Sequence, residues 1–521
     1  MTHDESHGEA KDAAPPEPLD HRPVVWGIVV VALLWIGLTL AGKTTYTEEK
    51  LAPHKPEEHA PAATDGHGPK VAPAIWAVTP FVLLLGAIAI FPLWSVTEHW
   101  WESNTSKLIL AGGLAIVTLL YYATLYEKAG VESVGHVLQH AILQDYIPFI
   151  ILLFSLYTIS GGIRIEGDLV AHPGTNAAFM AIGAVLASFI GTTGAAMLLI
   201  RPLIETNNER KHIAHTVVFF IFTVCNCGGC LLPLGDPPLF LGYLKGVDFL
   251  WTAKMLWLPW LITNALIIAV YYVWDFVFVY PTEDKYDVAR DTAETKPMRI
   301  RGLEVNGILL LLVVLAVAFL DPSKAVPGTN YHPHIYLREI VLLGLVAASL
   351  ALGSREVRED NGFNYGAIIE VAALFIGIFI TMAPAIEYLR VNGGALPLSH
   401  PIAYFWASGS LSAVLDNAPT YLVFYEAAEV HLHGGNLYEL VNQPTPAGRD
   451  GNLHLMAVSL GAVFMGAMTY IGNGPNFMVR SIAEQSGVKM PSFFGYCLFY
   501  SFPVLLPILA LVSYLFLIIL A

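Results

Sequence analysis

Charge is the first thing this sequence lacks. Only 13% of its 521 residues are Asp, Glu, Lys or Arg, where a soluble domain carries about 25%. With 55% hydrophobic residues and a mean hydropathy of +0.58, a water-soluble globule is excluded. Basic residues are the scarcer sign, 27 against 42 acidic. They form no stripe, so no nucleic acid partner is expected. The net charge of −15 calls for no basic partner either, because acids gather in polar stretches such as Asp4–Asp20 and Glu48–Glu58. Cysteine is rare: four residues cannot frame a disulfide scaffold. There is no phosphate loop and no nucleophile–base constellation, so an enzyme is not expected. Residues 1–23 are polar and acidic with a weak small-residue cleavage pattern, unlike a signal peptide. Val24–Gly42 is therefore read as a retained span.

What is abundant is apolar runs near 20 residues, long enough for a bilayer core of about 30 Å. Val24–Leu40, Ile109–Leu125, Gly307–Leu320 and Phe499–Ala521 are clear cases. Counting them gives an extra first helix and two sets of six. The first set is roughly 73–95, 107–126, 147–163, 177–204, 213–242 and 255–280. The second is roughly 304–320, 336–353, 366–389, 401–427, 453–478 and 493–521. The fold class is an all-α polytopic membrane protein, with units 1–72, 73–280, a linker 281–303, and 304–521.

The sets match in detail. Each third segment has an acid near its start and a Thr near its end: Asp145 and Thr158, then Glu370 and Thr381. Each fourth is broken by small or turn-forming residues, Gly191-Thr192-Thr193-Gly194 and Asp416-Asn417-Ala418-Pro419-Thr420. Each fifth is broken by Gly and Pro, Gly235-Asp236-Pro237-Pro238 and Gly472-Asn473-Gly474-Pro475. Lys and Arg in short loops favour the cytoplasm. The loops with Arg201, Arg210 and Lys211, with Lys285, Arg290, Lys296, Arg299 and Arg301, with Arg355 and Arg358, and with Arg480 and Lys489 can all face inside only if both fourth segments are hairpins. The first then opens inward and the second outward, an inverted repeat. The N-terminus falls on the cytoplasmic side of the inner (plasma) membrane. The loop 43–72, with Lys43, Lys50, Lys55 and Lys70, runs against this assignment.

Broken helices expose N–H and C=O groups at membrane depth, tolerated only where protein or water surrounds them. In inverted-repeat transporters such breaks form the ion and substrate site. Thr192 and Thr193 offer hydroxyls to a hard cation, although Gly-Thr-Thr-Gly also suits close helix packing. Asn226 to Phe240 is the most specific stretch, and Asp236 there is an ionisable group between Gly235 and Pro237. A carboxylate in apolar sequence wants a cation, a proton or a partner; its plainer reading is a helix N-cap. Asp416 is the second such carboxylate, with Asn417 and Thr420 beside it. Thr469, Gly472, Asn473 and Asn476 offer hydroxyl and amide groups without charge, which suggests two unequal sites. Asp145, Glu370 and Glu387, near segment ends, read as solvated interface groups, and Arg164 as a snorkelling anchor. Cys225, Cys227 and Cys230 could bind a soft metal or act in redox chemistry. With no His to complete the set, packing is the simpler account. His3, His7, His21, His54, His59 and His67 read as a polar tail and loop.

Asn226-Cys-Gly-Gly-Cys-Leu-Leu-Pro-Leu-Gly-Asp-Pro-Pro-Leu-Phe-Leu-Gly-Tyr243 and Leu415-Asp-Asn-Ala-Pro-Thr-Tyr421 resemble signatures of bacterial sodium:proton antiporters and citrate-transporter-like proteins. These belong to the ion transporter superfamily, with NhaD-type antiporters, arsenite pumps and divalent-anion symporters. The resemblance spans roughly residues 75–521. It implies two inverted repeats, each with a re-entrant hairpin and an unwound helix, and usually a homodimer. Anion-transporting relatives use Ser-Asn-Thr at each hairpin tip to hold sodium. Here the tips read Gly-Thr-Thr-Gly194 and Asp416-Asn-Ala-Pro-Thr420, and the added aspartates repel a carboxylate substrate. The expectation is sodium/proton antiport by alternating access, with no cofactor beyond Na⁺ and H⁺. Asp236 and Asp416 would take either ion, with Thr192, Thr193, Asn226, Asn417 and Asn473 completing the shell. The rival is sodium-coupled uptake of citrate or another small carboxylate.

Overall fold

A computed structural model of the chain describes residues 20–45, 72–283, 295–393, 396–432 and 437–521. His3, His7, His54, His59, His67, Lys50, Lys55, Lys70, Lys285 and Arg290 lie outside the described residues. Among those described, nine helices are long and apolar enough to cross a membrane, and the only sheet has two strands. The protein is an all-α, multi-pass membrane protein. Helices satisfy their own backbone groups, so apolar sequence of this length can be surrounded by lipid.

Helix α1 (Arg22–Leu40) exposes most of its apolar side chains, including Trp26, Leu33 and Leu34. Its one buried residue, Ile28, packs on Leu343 and Val346. Then come α2 (Thr79–Ile90), α3 (Asn104–Thr124), and a helical run made of α4 (Val131–Leu138), a π stretch and α5 (Ile147–Ser160). The hairpin α6 (Pro173–Ile190) and α7 (Thr192–Thr206) follows. Next are α8 (Ala214–Thr223), α9 (Pro237–Leu244) and α10 (Trp251–Trp274). The second set has α11 (Leu303–Phe319), α12 (Leu337–Leu352) and α13 (Gly366–Asn392). Its hairpin is α14 (Pro401–Ser412) and α15 (Asn417–His431), and its other broken helix is α16 (Pro446–Met465) with α17 (Gly474–Gln485). The helical run Phe493–Ile519 closes the chain.

Two expectations need correction. The third segment starts at Val131, not near 147, because His136, Gln139, His140, Gln144 and Asp145 mask it in the sequence. Asp145 therefore lies inside the helical run, 3.5 Å from the Lys245 ammonium, rather than at a solvated segment end. Part of the linker also forms a strand. Strand β2 (Lys296–Arg301) pairs antiparallel with β1 (Arg164–Asp168), with Arg164 opposite Arg301. Pro297 and the charged side chains disfavour a helix there. Arg164 is thus a strand residue paired with Glu166, and Arg301 reaches Glu166, Glu356 and Asp360.

These contacts gather β1, β2 and the short helix Arg355–Asp360 at one cationic end. Leu169 just past β1 donates to Thr206 at the foot of α7, and Arg210 and Lys489 line one cavity nearby. The foot of the first hairpin is at this end, closed by reciprocal amide bonds of 2.8 and 2.7 Å between Asn176 and Asn207. Helix α13 starts here and runs to Arg390, which holds Glu426 on α15 by two bonds of 3.0 and 2.9 Å. The second hairpin, whose foot is joined by the Tyr404 hydroxyl on Ala427 O, therefore opens at the opposite end. His21 at the start of α1 meets Tyr365 at the cationic end, and Trp35 near its close donates to Ile335 O at the other.

Candidate functional site

Proline placement explains how the central side chains point. A helix N-cap side chain accepts an N–H from the second or third helical residue. Asp236 is the N-cap of α9, but Pro237 and Pro238 occupy the first two positions and have no N–H to give. Its carboxylate makes no capping bond and turns away from its own helix. Asn473 is the N-cap of α17, with Pro475 at the second position, and is freed in the same way. At Asp416, the N-cap of α15, the proline falls one place later. Ala418 keeps its N–H and donates to Asp416 Oδ1 at 3.1 Å.

The broken helices are fastened to the hairpin tips by backbone and hydroxyl groups. Gly191, at φ 80°, makes the turn between α6 and α7 that a side chain would strain. The Thr192 N–H donates to Gly235 O at 2.8 Å. Ser188 donates to Gly228 O and Ser412 to Ala462 O, both at 2.6 Å. Thr469 ties to Ala413 O at 2.5 Å. A Cβ on Gly235 would collide with Gly229 O, and one on Gly472 would stand 2.5 Å from Gly466 O. The serines were not singled out in the sequence; a serine near the end of each first hairpin arm is the signal that marks them.

Asp236 sits where all four breaks meet, 1% exposed. Its Oδ1 accepts from the Thr192 hydroxyl and the Asn473 amide, each at 3.1 Å, and its Oδ2 from the Asn417 amide at 2.6 Å. Asn473 also donates to Cys225 O and to Asn226 Oδ1. Asn226 donates to Asn476 Oδ1 at 2.7 Å, and Asn476 donates to Gly466 O and Thr469 O. One amide network therefore joins Thr192, Asn226, Asp236, Asn417, Asn473 and Asn476. None of the groups bonded to Asp236 is cationic.

Burying an unpaired carboxylate costs several kcal/mol even after relaxation. Three donors at roughly 1.5–3 kcal/mol each oppose that cost. Helices α7, α9, α15 and α17 all begin at this point, after the caps Gly191, Asp236, Asp416 and Asn473, so their positive dipole ends converge on it. The charge is thus tolerable, but no cationic side chain bonds to it. Asn417 must turn its NH₂ toward the carboxylate, and its Oδ1 is then buried with no partner. An orphan acceptor beside a carboxylate is a place for a proton or a small hard cation.

The remaining candidates stand outside this network. Asp416 is half-buried and its carboxylate is engaged on its own helix. Thr420 donates back to Asp416 O. Thr193 is half-buried and its hydroxyl makes no hydrogen bond among the described residues, so Thr192 is the hydroxyl the first tip contributes. Glu370 pairs with Lys107 at 2.7 Å, and Glu387 accepts from the Tyr122 hydroxyl. Cys225, Cys227 and Cys230 are free, buried thiols. Among the described residues no group of three His, Cys, Asp or Glu could hold a metal ion. The triplet contributes backbone instead: Cys225 O receives Asn473 and Cys227 O receives Asn264.

Residues 70–517 match the model of a family described as "Putative citrate transport". No curated protein matches the chain.

Proposed function

The chain belongs to this citrate-transport family, and we propose that within it the protein exchanges sodium for protons, with Asp236 as the exchanging carboxylate. One observation carries the reading: a fully buried carboxylate held by neutral donors alone, beside the unpartnered Asn417 Oδ1. Sodium and a proton exclude each other at one carboxylate, which couples their movements. With a proton on Asp236, the Asn417 oxygen can accept it as a hydrogen bond. With sodium, amide rotation at Asn417 brings its oxygen to the ion together with the Thr192 hydroxyl and the carboxylate. Two inverted repeats account for hairpins that open at opposite ends and tips that meet on one side chain. The cationic end is the cytoplasmic one. The homodimer belongs to the same reading.

The test is exchange in vesicles containing the purified protein. Sodium added outside should collapse a pre-set acid-inside pH gradient, and Asp236→Asn should reduce the response to that of empty vesicles. A wild-type protein that responds to neither Na⁺ nor Li⁺ sinks the proposal.

Sodium-coupled citrate uptake is the second reading, favoured by the family description. Against it stands the Asp236 carboxylate itself, which has no basic side chain among its partners and whose charge would repel a tricarboxylate. Radiolabelled citrate accumulating only with sodium would establish it.

A further inference from the structure

We propose that two ion pairs latch the half-helices α9 and α15 to the third segments at the end opposite the cationic one, closing the path from Asp236 to that side until the pairs part. The proposal rests on Asp236 being the exchanging group. Both half-helices begin at the centre, and they are joined to each other. Asn417 of α15 holds Asp236 of α9 at 2.6 Å, and the Tyr421 hydroxyl of α15 lies against Gly242 of α9. Their far ends are tied to the third segment of each set. Lys245, the C-cap of α9, stands 3.5 Å from Asp145, between α4 and α5. Glu426 on α15 takes two bonds from Arg390, near the end of α13, at 3.0 and 2.9 Å. Glu429, further along α15, feels the charge of both Arg390 and Lys245, so the two pairs form one cluster.

The third segments hold each other in a different way. Phe149 of α5 stacks on Phe375 of α13 at 4.8 Å and meets Phe379 edge-on at 5.7 Å, and the Tyr146 hydroxyl donates to Ala372 O. That contact is mostly aromatic and buried. The contact between third segments and half-helices is ionic. Glu426 is buried but Arg390 reaches solvent, and Lys245 and Asp145 are both half-buried. An ion pair with one wet side can separate because water replaces the lost partner. A buried aromatic contact has no such substitute, since parting it returns apolar surface to water. The third segments therefore form a fixed frame, and α9 with α15 forms the part that can leave it. A rigid pair of half-helices, held by charge at one end and carrying Asp236 at the other, turns release of the latch into movement at the centre.

Hydrogen–deuterium exchange of the full-length protein in nanodiscs, read by mass spectrometry, tests this without requiring transport. Glu426→Gln, which leaves no buried charge behind, should speed exchange about ten-fold in peptides from α9 and α15. Lys245→Gln should speed it about three-fold, since its pair is partly exposed. Peptides around the Phe149–Phe375 stack should keep the wild-type rate in both variants. The swap Asp145→Lys with Lys245→Asp should return α9 to that rate. Wild-type uptake in both single variants, an equal rise around the aromatic stack, or a swap that restores nothing overturns the latch. None of these results bears on sodium–proton exchange itself, which Asp236→Asn in vesicles decides separately.

Discussion

Asp236 and Asn473 occupy matching places in the two unwound helices. Each is an N-cap whose side chain makes no capping bond. Each follows a glycine pressed against a carbonyl, Gly229 O or Gly466 O. Each precedes a proline that removes the N–H the cap would have taken. The frame is the same and the side chain differs by one atom type. The acid accepts and the amide donates, so the two bond to each other at 3.1 Å. Two amides in these places would leave no charge to exchange. Two acids would force their charges together. The single difference gives the pair both its attraction and its one ionisable group.

The strongest way to break this comparison, beyond the loss expected of Asp236→Asn, is Asn473→Asp. The new carboxyl would face Asp236 Oδ1, Cys225 O and Asn226 Oδ1, all acceptors now served by the Asn473 amide. Adjacent carboxylates share a proton and hold it more tightly than either alone. Sodium-driven proton movement should fall more than about ten-fold near neutral pH. What remains should shift to higher pH, where the shared proton can leave. The pH profile of gradient collapse in vesicles measures this; an unaltered profile means that Asn473 and Asp236 are not coupled.

A smaller effect tests whether the frame is shared. Gly235→Ala and Gly472→Ala each drive a methyl into a backbone oxygen that cannot swing aside as a side chain would. Overpacking of this kind costs about 1–3 kcal/mol. Both variants should melt lower in detergent, Gly235→Ala by more, because its contact is the closer one. A loss at one position only would mean that the two breaks are built differently.

Much of this was legible in the sequence. Gly and Pro mark all four breaks because few other residues interrupt an apolar helix, and Asp236 stands out between Gly235 and Pro237. The polar first half of the helix at Val131–Ser160 was not legible, since hydropathy cannot see a helix whose polar groups meet protein partners such as Lys245. Strand β2 was hidden because its pairing with β1 is long-range. Ser188 and Ser412 were hidden because a serine in a small-residue helix reads as packing until the carbonyl it holds is known.

The least legible point was which acid faces the centre, and it gives the mildest prediction. Asp236 and Asp416 look alike in sequence, each at a break and each near a proline. The proline position separates them. At Asp236 it removes the N–H that would hold the carboxylate, whereas at Asp416 it comes too late, so Ala418 claims the side chain. Asn417, the next residue, then reaches Asp236 in its place. If the centre holds one exchanging acid, Asp416→Ala removes only a cap. It should cost about 1 kcal/mol of stability and lower the melting temperature slightly. The sodium concentration for half-maximal exchange should move less than about three-fold, a shift below 1 kcal/mol. Asp416→Asn, which keeps an acceptor for Ala418, should restore the melting temperature. A loss of exchange in Asp416→Asn as complete as in Asp236→Asn would instead place two exchanging acids at the centre, and the contrast between Asp236 and Asn473 would no longer carry the coupling alone.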